Sequence, residues 1–261
     1  MSSDTPQQPD AGVELLEEKH FAMKGPDNKT PLVGWKATSE GVGGLFNPRG
    51  FASIRAILWR FVKGEKNPLY DQPIIVENPG AVVIVVHGEK VALVRNFRMV
   101  GERILPKAFA GYVRQLDEQK LWGRLLQSMG KWRWEAPQGL IQDELPVEGE
   151  NLEEFVLRSA KTEALQEGGL HIQRARIVGP INWSPTFCAH AQFAVLAEFV
   201  SQENATPEDL EIIGGMRFFS PEEIRDLNTA GELDSAMTLG ALALCGIALP
   251  LPEGPLELNL A

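Results

Sequence analysis

Apolar runs with two different periods predict the secondary structure of this chain. The segments 74–76 and 81–86 are rich in β-branched residues, as is typical of strands, and a similar run at 90–96 follows the turn at 87–89. Because the turn contains glycine, the second and third runs are predicted to form a β-hairpin. Further strands are predicted at 177–181, 192–200 and 216–219.

A period of 3.6 residues predicts helices elsewhere, and the segment 152–167 shows it most clearly. Its apolar stripe consists of Val156, Ala160 and Ala164. Glu163 and Glu167 lie along the edge of that stripe. The Gly-Gly pair that follows predicts a left-handed C-cap. Ser-Pro-Glu-Glu at 220–223 predicts a helix that begins with a capping box. Three more helices are predicted: an amphipathic one at 51–62, one at 107–130, and one at 235–247.

Strands and helices mix without a regular strand–helix–strand repeat, so the predicted class is α+β, with a mixed sheet in an α/β/α sandwich. The start of the chain, 1–30, is rich in Pro, Gln, Asp and Ser and is predicted to be disordered. The predicted organisation has four parts: an extension at 1–73, a main domain at 74–248, a helical insertion in that domain at about 106–131, and a tail at 249–261.

Composition narrows the function classes. The 261 residues can bury one sizeable core, and a net charge of -10 argues against a general nucleic-acid or anionic-membrane surface. The two cysteines, Cys188 and Cys245, form no CxxC motif, which excludes a thiolate zinc site and a disulfide framework. That usage, the polar start without a signal peptide, and the lack of an apolar run of roughly 20 residues predict a cytoplasmic protein with no membrane partner.

The acidic edge of the helix at 152–167 is the candidate chemistry. Glu163 and Glu167 lie four residues apart and share one helical face. Like charges at this spacing, near a helix C-terminus, destabilise the helix slightly, so folding alone does not explain them. Paired carboxylates can hold Mg²⁺ or Mn²⁺, which diphosphate hydrolysis requires to neutralise the phosphate oxygens. A solvated acidic face is the alternative interpretation.

Two segments together resemble the signature of Nudix hydrolases, Gly-x5-Glu-x7-Arg-Glu-apolar-x-Glu-Glu-x-Gly-apolar. They are Glu135-Ala136-Pro137-Gln138-Gly139-Leu140-Ile141 and Thr162-Glu163-Ala164-Leu165-Gln166-Glu167-Gly168-Gly169-Leu170. Flanking segments resemble the ADP-ribose pyrophosphatase branch, in the family's order: 91–98, 183–187 and 231–238. The resemblance covers about 74–248 and implies a Nudix-like fold.

The resemblance also implies roles for individual residues. The metal ligands would be Glu163, Glu167 and the backbone carbonyl of Gln138. Glu154 stands where the first glutamate of the signature belongs, although Glu150 competes for that position.

The implied substrate contacts come from other segments. Arg98, or alternatively Arg95, would bind phosphate, and Trp183 would stack on a base. His190 would replace the glutamate that this branch uses as general base.

Several positions depart from the signature. Thr162 replaces its arginine, Gln166 replaces a glutamate, and the spacing after Gly139 is longer. Two hypotheses therefore stay open. The first is a Mg²⁺- or Mn²⁺-dependent hydrolase of a nucleoside diphosphate linked to another moiety, ADP-ribose or a nucleotide sugar. The resemblance to this branch also implies a homodimer. The second is a catalytically silent Nudix-like module that binds a nucleotide metabolite or a partner protein.

Overall fold

A computed structural model describes residues 21–24, 31–37, 54–63, 67–98, 118, 130–140, 147–182, 184, 188, 192–208 and 211–249. The chain divides into two compact units. The first comprises 1–79, 140–145 and 182–191, and the second comprises 80–139, 146–181 and 192–261.

The first unit contains an antiparallel sheet of four strands in chain order: β1 (Phe21–Lys24), β2 (Pro31–Ala37), β3 (Ile54–Lys63) and β4 (Asn67–Glu77). The amphipathic helix predicted at 51–62 is therefore wrong, because 54–63 is a strand paired along its length with β4. A short run rich in β-branched and aromatic residues fits either period. The antiparallel partner that follows within a few residues decides for the strand.

The second unit is built on a mixed sheet of seven strands among the described residues. Four strands follow one another in the chain: β5 (Gly80–His87), β6 (Lys90–Arg98), β7 (Lys131–Glu135) and β8 (Gln138–Leu140). The remaining elements are α1 (Leu152–Gly168), β9 (Leu170–Ile181), β10 (Gln192–Gln202), β11 (Ile213–Phe219), α2 (Pro221–Thr229) and α3 (Ala236–Leu244). The order is β11-β6-β5-β10-β9, with β7 on β6 and β8 on β5. Only the β5–β10 pair among those with a described register is parallel, which confirms the predicted α+β class with a mixed sheet.

Helices cover both faces of this sheet. Leu93 on β6 belongs to a buried cluster that includes Ile224 of α2 and Leu242 of α3. The next residue, Val94, points to the other face, where its Cγ1 would lie 3.6 Å from a Cβ placed on Gly168 of α1. The sandwich of helix, sheet and helix layers is thus the predicted one.

Local predictions in this unit hold. The β5–β6 hairpin closes with His87 opposite Lys90, and Gly88 in its turn has φ 61°. Helix α1 ends at Gly169 in the left-handed conformation, and Ser220 caps α2 in a capping box. The predicted helix and insertion at 106–131 lie outside the described residues apart from 118, 130 and 131.

The disordered start predicted at 1–30 lies outside the described residues apart from 21–24, and the tail apart from 249. Within the described ranges no helix has the length and apolar character to cross a membrane.

Candidate active site

A buried carboxylate at the end of α1 marks the site. The side chain of Glu167 is 1% exposed, and its Oε2 accepts a hydrogen bond of 2.8 Å from the backbone N–H of Gln138. Its Oε1 is also buried and has no hydrogen-bond partner among the described residues. A buried charge without full compensation is costly, so a carboxylate here is favoured only if a cation lies beside it.

The charges around Glu167 also disfavour its ionised form. Burial raises the pKa of Glu167 well above its usual range, and the carboxylates of Glu211 and Glu163 raise it further. The Gln138 N–H and the charge of Arg98 act in the opposite direction without cancelling the effect. The protein alone therefore favours the protonated carboxyl, and a cation beside it would favour the carboxylate.

Two glycines allow the segment 136–139, called the turn here because it leads from β7 into β8, to approach α1 and β5. A Cβ on Gly139 would overlap the carboxylate of Glu163, so only glycine fits there without moving that side chain. A Cβ on Gly80 would overlap the carbonyl oxygen of Gly139. The N–H of Val83 also donates to the carbonyl of Pro137 at 2.8 Å. The turn is therefore held between the start of β5 and the last turns of α1.

Arg98 lies on the same side of the sheet and is held by Glu135. Its Nη2 and Nε donate to Oε2 of Glu135 at 2.6 and 3.0 Å. The side chain of Glu135 is 6% exposed, that of Arg98 is 39% exposed, and the same Oε2 accepts from Nε2 of Gln138 at 2.9 Å. Burial lowers the pKa of Arg98, but the hydrogen bond and charge of Glu135 outweigh it, so the pKa is raised. Arg98 is a fixed cation with part of its surface open to a ligand.

Arg95, the alternative phosphate contact, points to the other face of β6. It is exposed, and its guanidinium lies 5.4 Å from the ring centroid of Trp132. Successive side chains of a strand alternate between faces, so Arg95 and Arg98 cannot serve one site together. The structure brings Arg98 to Glu167 and leaves Arg95 away from it.

Glu154 is placed at the opposite end of α1. Its carboxylate accepts a hydrogen bond of 3.0 Å from the backbone N–H of Asn151, and its own N–H donates to Oδ1 of Asn151. Glu163 lies nine positions further along the helix, about 13.5 Å along the axis at 1.5 Å per residue. Glu154 therefore stabilises the start of the helix and is not brought to Glu163 and Glu167.

The competing residue, Glu150, pairs with Arg158 at 2.9 Å and is likewise away from the helix end. Trp183 and His190 lie outside the described residues.

Sequence reasoning missed Glu211. Its charge acts on both Glu167 and Arg98, and its Oε2 accepts from the N–H of Glu208 at 3.3 Å. The adjacent carbonyl of Ile212 accepts from Phe97 N–H at 3.0 Å, which places this carboxylate beside the end of β6. The acid-rich run before the strand predicted at 216–219 is a signal for such a residue, whereas the family resemblance points to His190 for the general base.

The donor set fits a hard divalent cation. No group of three or more His, Cys, Asp or Glu side chains in the described part of the chain is arranged as a metal site. Mg²⁺ is nevertheless commonly bound by one or two carboxylates, with water and substrate phosphates as its other ligands. Glu167, with a buried unpartnered oxygen, and Glu163 beside Gly139 meet that requirement.

Comparisons with known proteins give structural neighbours only. No family model and no curated protein matches the chain. A solved NUDIX hydrolase from Nitrosomonas europaea is 16% identical, with 67% of this chain and 93% of that chain covered and a TM-score of 0.42. A solved ADP compounds hydrolase is 13% identical, with 87% and 92% covered and a TM-score of 0.47. Both identities are low, and neither similarity assigns an activity to this chain.

Proposed function

We propose that this protein is a divalent-metal-dependent hydrolase that cleaves the pyrophosphate of a nucleoside diphosphate linked to another moiety, ADP-ribose or a nucleotide sugar. The observation that carries the proposal is the buried carboxylate of Glu167, in which one oxygen accepts from Gln138 and the other has no hydrogen-bond partner in the described part of the chain. Burial of this carboxylate does not stabilise the fold, so folding alone does not account for a glutamate at this position.

The burial of Glu167 costs stability, which favours a functional explanation for this residue. A carboxylate this deeply buried destabilises the fold unless a cation compensates it, and an apolar side chain of similar volume would avoid the cost. Glycine at position 139 leaves the space that the carboxylate of Glu163 fills, so a second anion comes close to the first. Each carboxylate makes ionisation of the other less favourable, and a cation bound between them makes the ionised form of both favourable.

Each residue then has a role. Glu163 and Glu167 would hold Mg²⁺ or Mn²⁺, and the N–H of Gln138 orients Glu167. When bound, such a cation neutralises phosphate oxygens and lowers the pKa of a coordinated water. Arg98, whose side chain is 39% exposed, binds a phosphate oxygen, since arginine matches phosphate geometry well.

We also propose Glu211 as the general base. It accepts a proton from the water that attacks one phosphorus, and the bond from that phosphorus to the bridging oxygen breaks. The products are a nucleoside monophosphate and a phosphorylated sugar. Its support is its position beside the end of β6, where the carbonyl of the next residue, Ile212, accepts from Phe97 N–H at 3.0 Å, together with its charge interaction with Glu167 and Arg98. His190 stays a prediction for the same role.

The test is hydrolysis of a defined panel. Purified protein is incubated with Mg²⁺ or Mn²⁺ and with ADP-ribose, nucleotide sugars, dinucleotides and NADH, and the phosphate products are separated and counted. Glu167→Gln should lower the rate on any true substrate by at least about 100-fold, since even residues behind a metal ligand matter by 10- to 100-fold. Glu154→Gln, at the far end of the same helix, is the control and should retain the rate. Equal background rates for wild type and Glu167→Gln on every compound would reject the proposal.

A catalytically silent module that binds a nucleotide is the second candidate. The hydroxyl of Thr162, in the place of the signature arginine, donates to the carbonyl of Arg158 at 3.2 Å and thus turns to the helix backbone. A threonine also cannot supply the positive charge of an arginine. Thermal unfolding with the same panel separates the two candidates: a shift without turnover supports binding, and turnover supports the enzyme.

A further inference from the structure

The segment 231–238, which resembles a family motif, has no part in the site described so far. It lies along the edge of β7, where it contacts Arg133 and Trp134, and it also contacts Ala136 just after that strand. The N–H of Trp134 donates to the carbonyl of Glu232 at 2.8 Å, and Nε of Arg133 lies 3.2 Å from Oδ1 of Asp234.

The third contact of this segment is made by Thr238. The N–H of Ala136 donates to Oγ1 of Thr238 at 3.1 Å, and Thr238 is completely buried. A buried backbone N–H requires an acceptor, and a side-chain hydroxyl here supplies what a further strand would otherwise supply.

The position of this hydrogen bond connects it to the site. Proline has no N–H, so the next backbone donor after Ala136 is Gln138, and Gln138 holds Oε2 of Glu167. Two successive donors of one short turn are thus fixed from opposite sides. Thr238 on α3 holds the first, and Glu167 on α1 accepts the second.

We propose that Thr238 is a positioning residue. Its hydroxyl sets the turn at 136–139 so that the Gln138 N–H and Gly139 meet the two carboxylates of α1. The consequence for metal binding rests on the proposed function, whereas the consequence for the turn does not.

The shape of the side chain allows a clean test. Valine has nearly the volume of threonine but no acceptor, and serine keeps the hydroxyl. Ser220→Ala is the matched control. It removes the N-cap of α2, so it also deletes one side-chain acceptor of one backbone N–H in the same unit.

The first measurement is amide hydrogen exchange by NMR in metal-free protein. The protection of Gln138 is divided by that of Trp134, so that global unfolding cancels. Thr238→Val should lower this ratio by about tenfold, equivalent to about 1.4 kcal/mol at 25 °C. Thr238→Ser and Ser220→Ala should leave the ratio within about twofold of wild type, because the Thr238 hydroxyl or its serine equivalent is then intact.

The second measurement is Mn²⁺ affinity by calorimetry on the same proteins. Thr238→Val should raise the Kd by about 10-fold, at the lower end of the range for residues that orient metal ligands. Thr238→Ser should restore the wild-type value. A destabilising change without a positioning role would move Thr238→Val and Ser220→Ala together.

The outcomes separate the two claims. An unchanged exchange ratio in Thr238→Val overturns the positioning role, whatever the metal does. A changed ratio in a protein that binds no Mn²⁺ keeps the positioning role and rejects the proposed function. Should the valine variant fail to fold, Thr238→Ala removes the acceptor without placing a branched side chain in the site, and an unchanged ratio there has the same meaning.

Discussion

Replacing Glu167 with glutamine is expected to change how the stability of the metal-free protein depends on pH. Burial, Glu211 and Glu163 all raise the pKa of Glu167 in the folded state. The unfolded chain has the ordinary glutamate value of about 4.3. Glutamine has similar volume and does not titrate, so the difference between the two proteins isolates this one group.

The sign follows from proton binding. Above about pH 4.3 the unfolded chain has released the proton that folded Glu167 still holds, so each rise in pH favours unfolding. The slope reaches at most about 1.4 kcal/mol per pH unit for one proton, and it continues until the raised folded pKa is passed. Below the ordinary value both states are protonated and the slopes of the two proteins coincide.

The assay is urea unfolding at pH 4, 5, 6, 7 and 8 with a chelator present. The free energy of unfolding of wild type minus that of Glu167→Gln should fall as pH rises from 5. Glu154→Gln, an exposed capping residue on the same helix, should show no such fall. Repeating the series with saturating Mn²⁺ should stabilise wild type increasingly toward high pH, because the cation binds the ionised form. Parallel pH profiles for wild type and Glu167→Gln without metal would refute the reasoning.

Three further predictions concern the surroundings of this carboxylate. Gly139→Ala should raise the Kd for Mn²⁺ in calorimetry by more than about tenfold, since its Cβ would overlap a carboxylate, whereas Gly179→Ala, which meets only side-chain carbons at 3.7 Å, should not. Glu135→Gln should raise KM more than it lowers kcat in steady-state kinetics, by about 10-fold, because Arg98 loses a charged partner that holds it in place. Gln166→Glu should lower the Kd for Mn²⁺, because it restores an acidic residue of the signature, and a weaker or unchanged affinity would contradict the geometry proposed for the site.

Local features of this protein were determined by sequence alone. Helix α1 and its end at Gly169 follow from a stripe and a glycine pair that act within one or two turns. The hairpin with Gly88 in its turn is likewise a short-range feature. The shared face of Glu163 and Glu167 follows from their spacing once the helix is known. These features need no partner from distant parts of the chain.

The tertiary structure decided the features that depend on distant partners. Strand pairing with β4 settled 54–63 as a strand, where the apolar pattern alone fitted a helix. The alternation of β6 separated Arg98 from Arg95, which the sequence left as equivalent. Glu154 was predicted to bind metal from its spacing in the signature, whereas in the structure its carboxylate caps the start of α1.

Dependence on distant partners also explains why some contacts could not be predicted from any pattern in the sequence. Thr238 and Ala136 are 102 residues apart, and Arg98 and Glu135 are 37 apart. Spacing along the chain specifies periodicity and caps, because those interactions close within a few residues. Which distant donor meets which acceptor is specified only when the sheet and the helices on its two faces have packed, and the burial that makes Glu167 unusual arises at that same step.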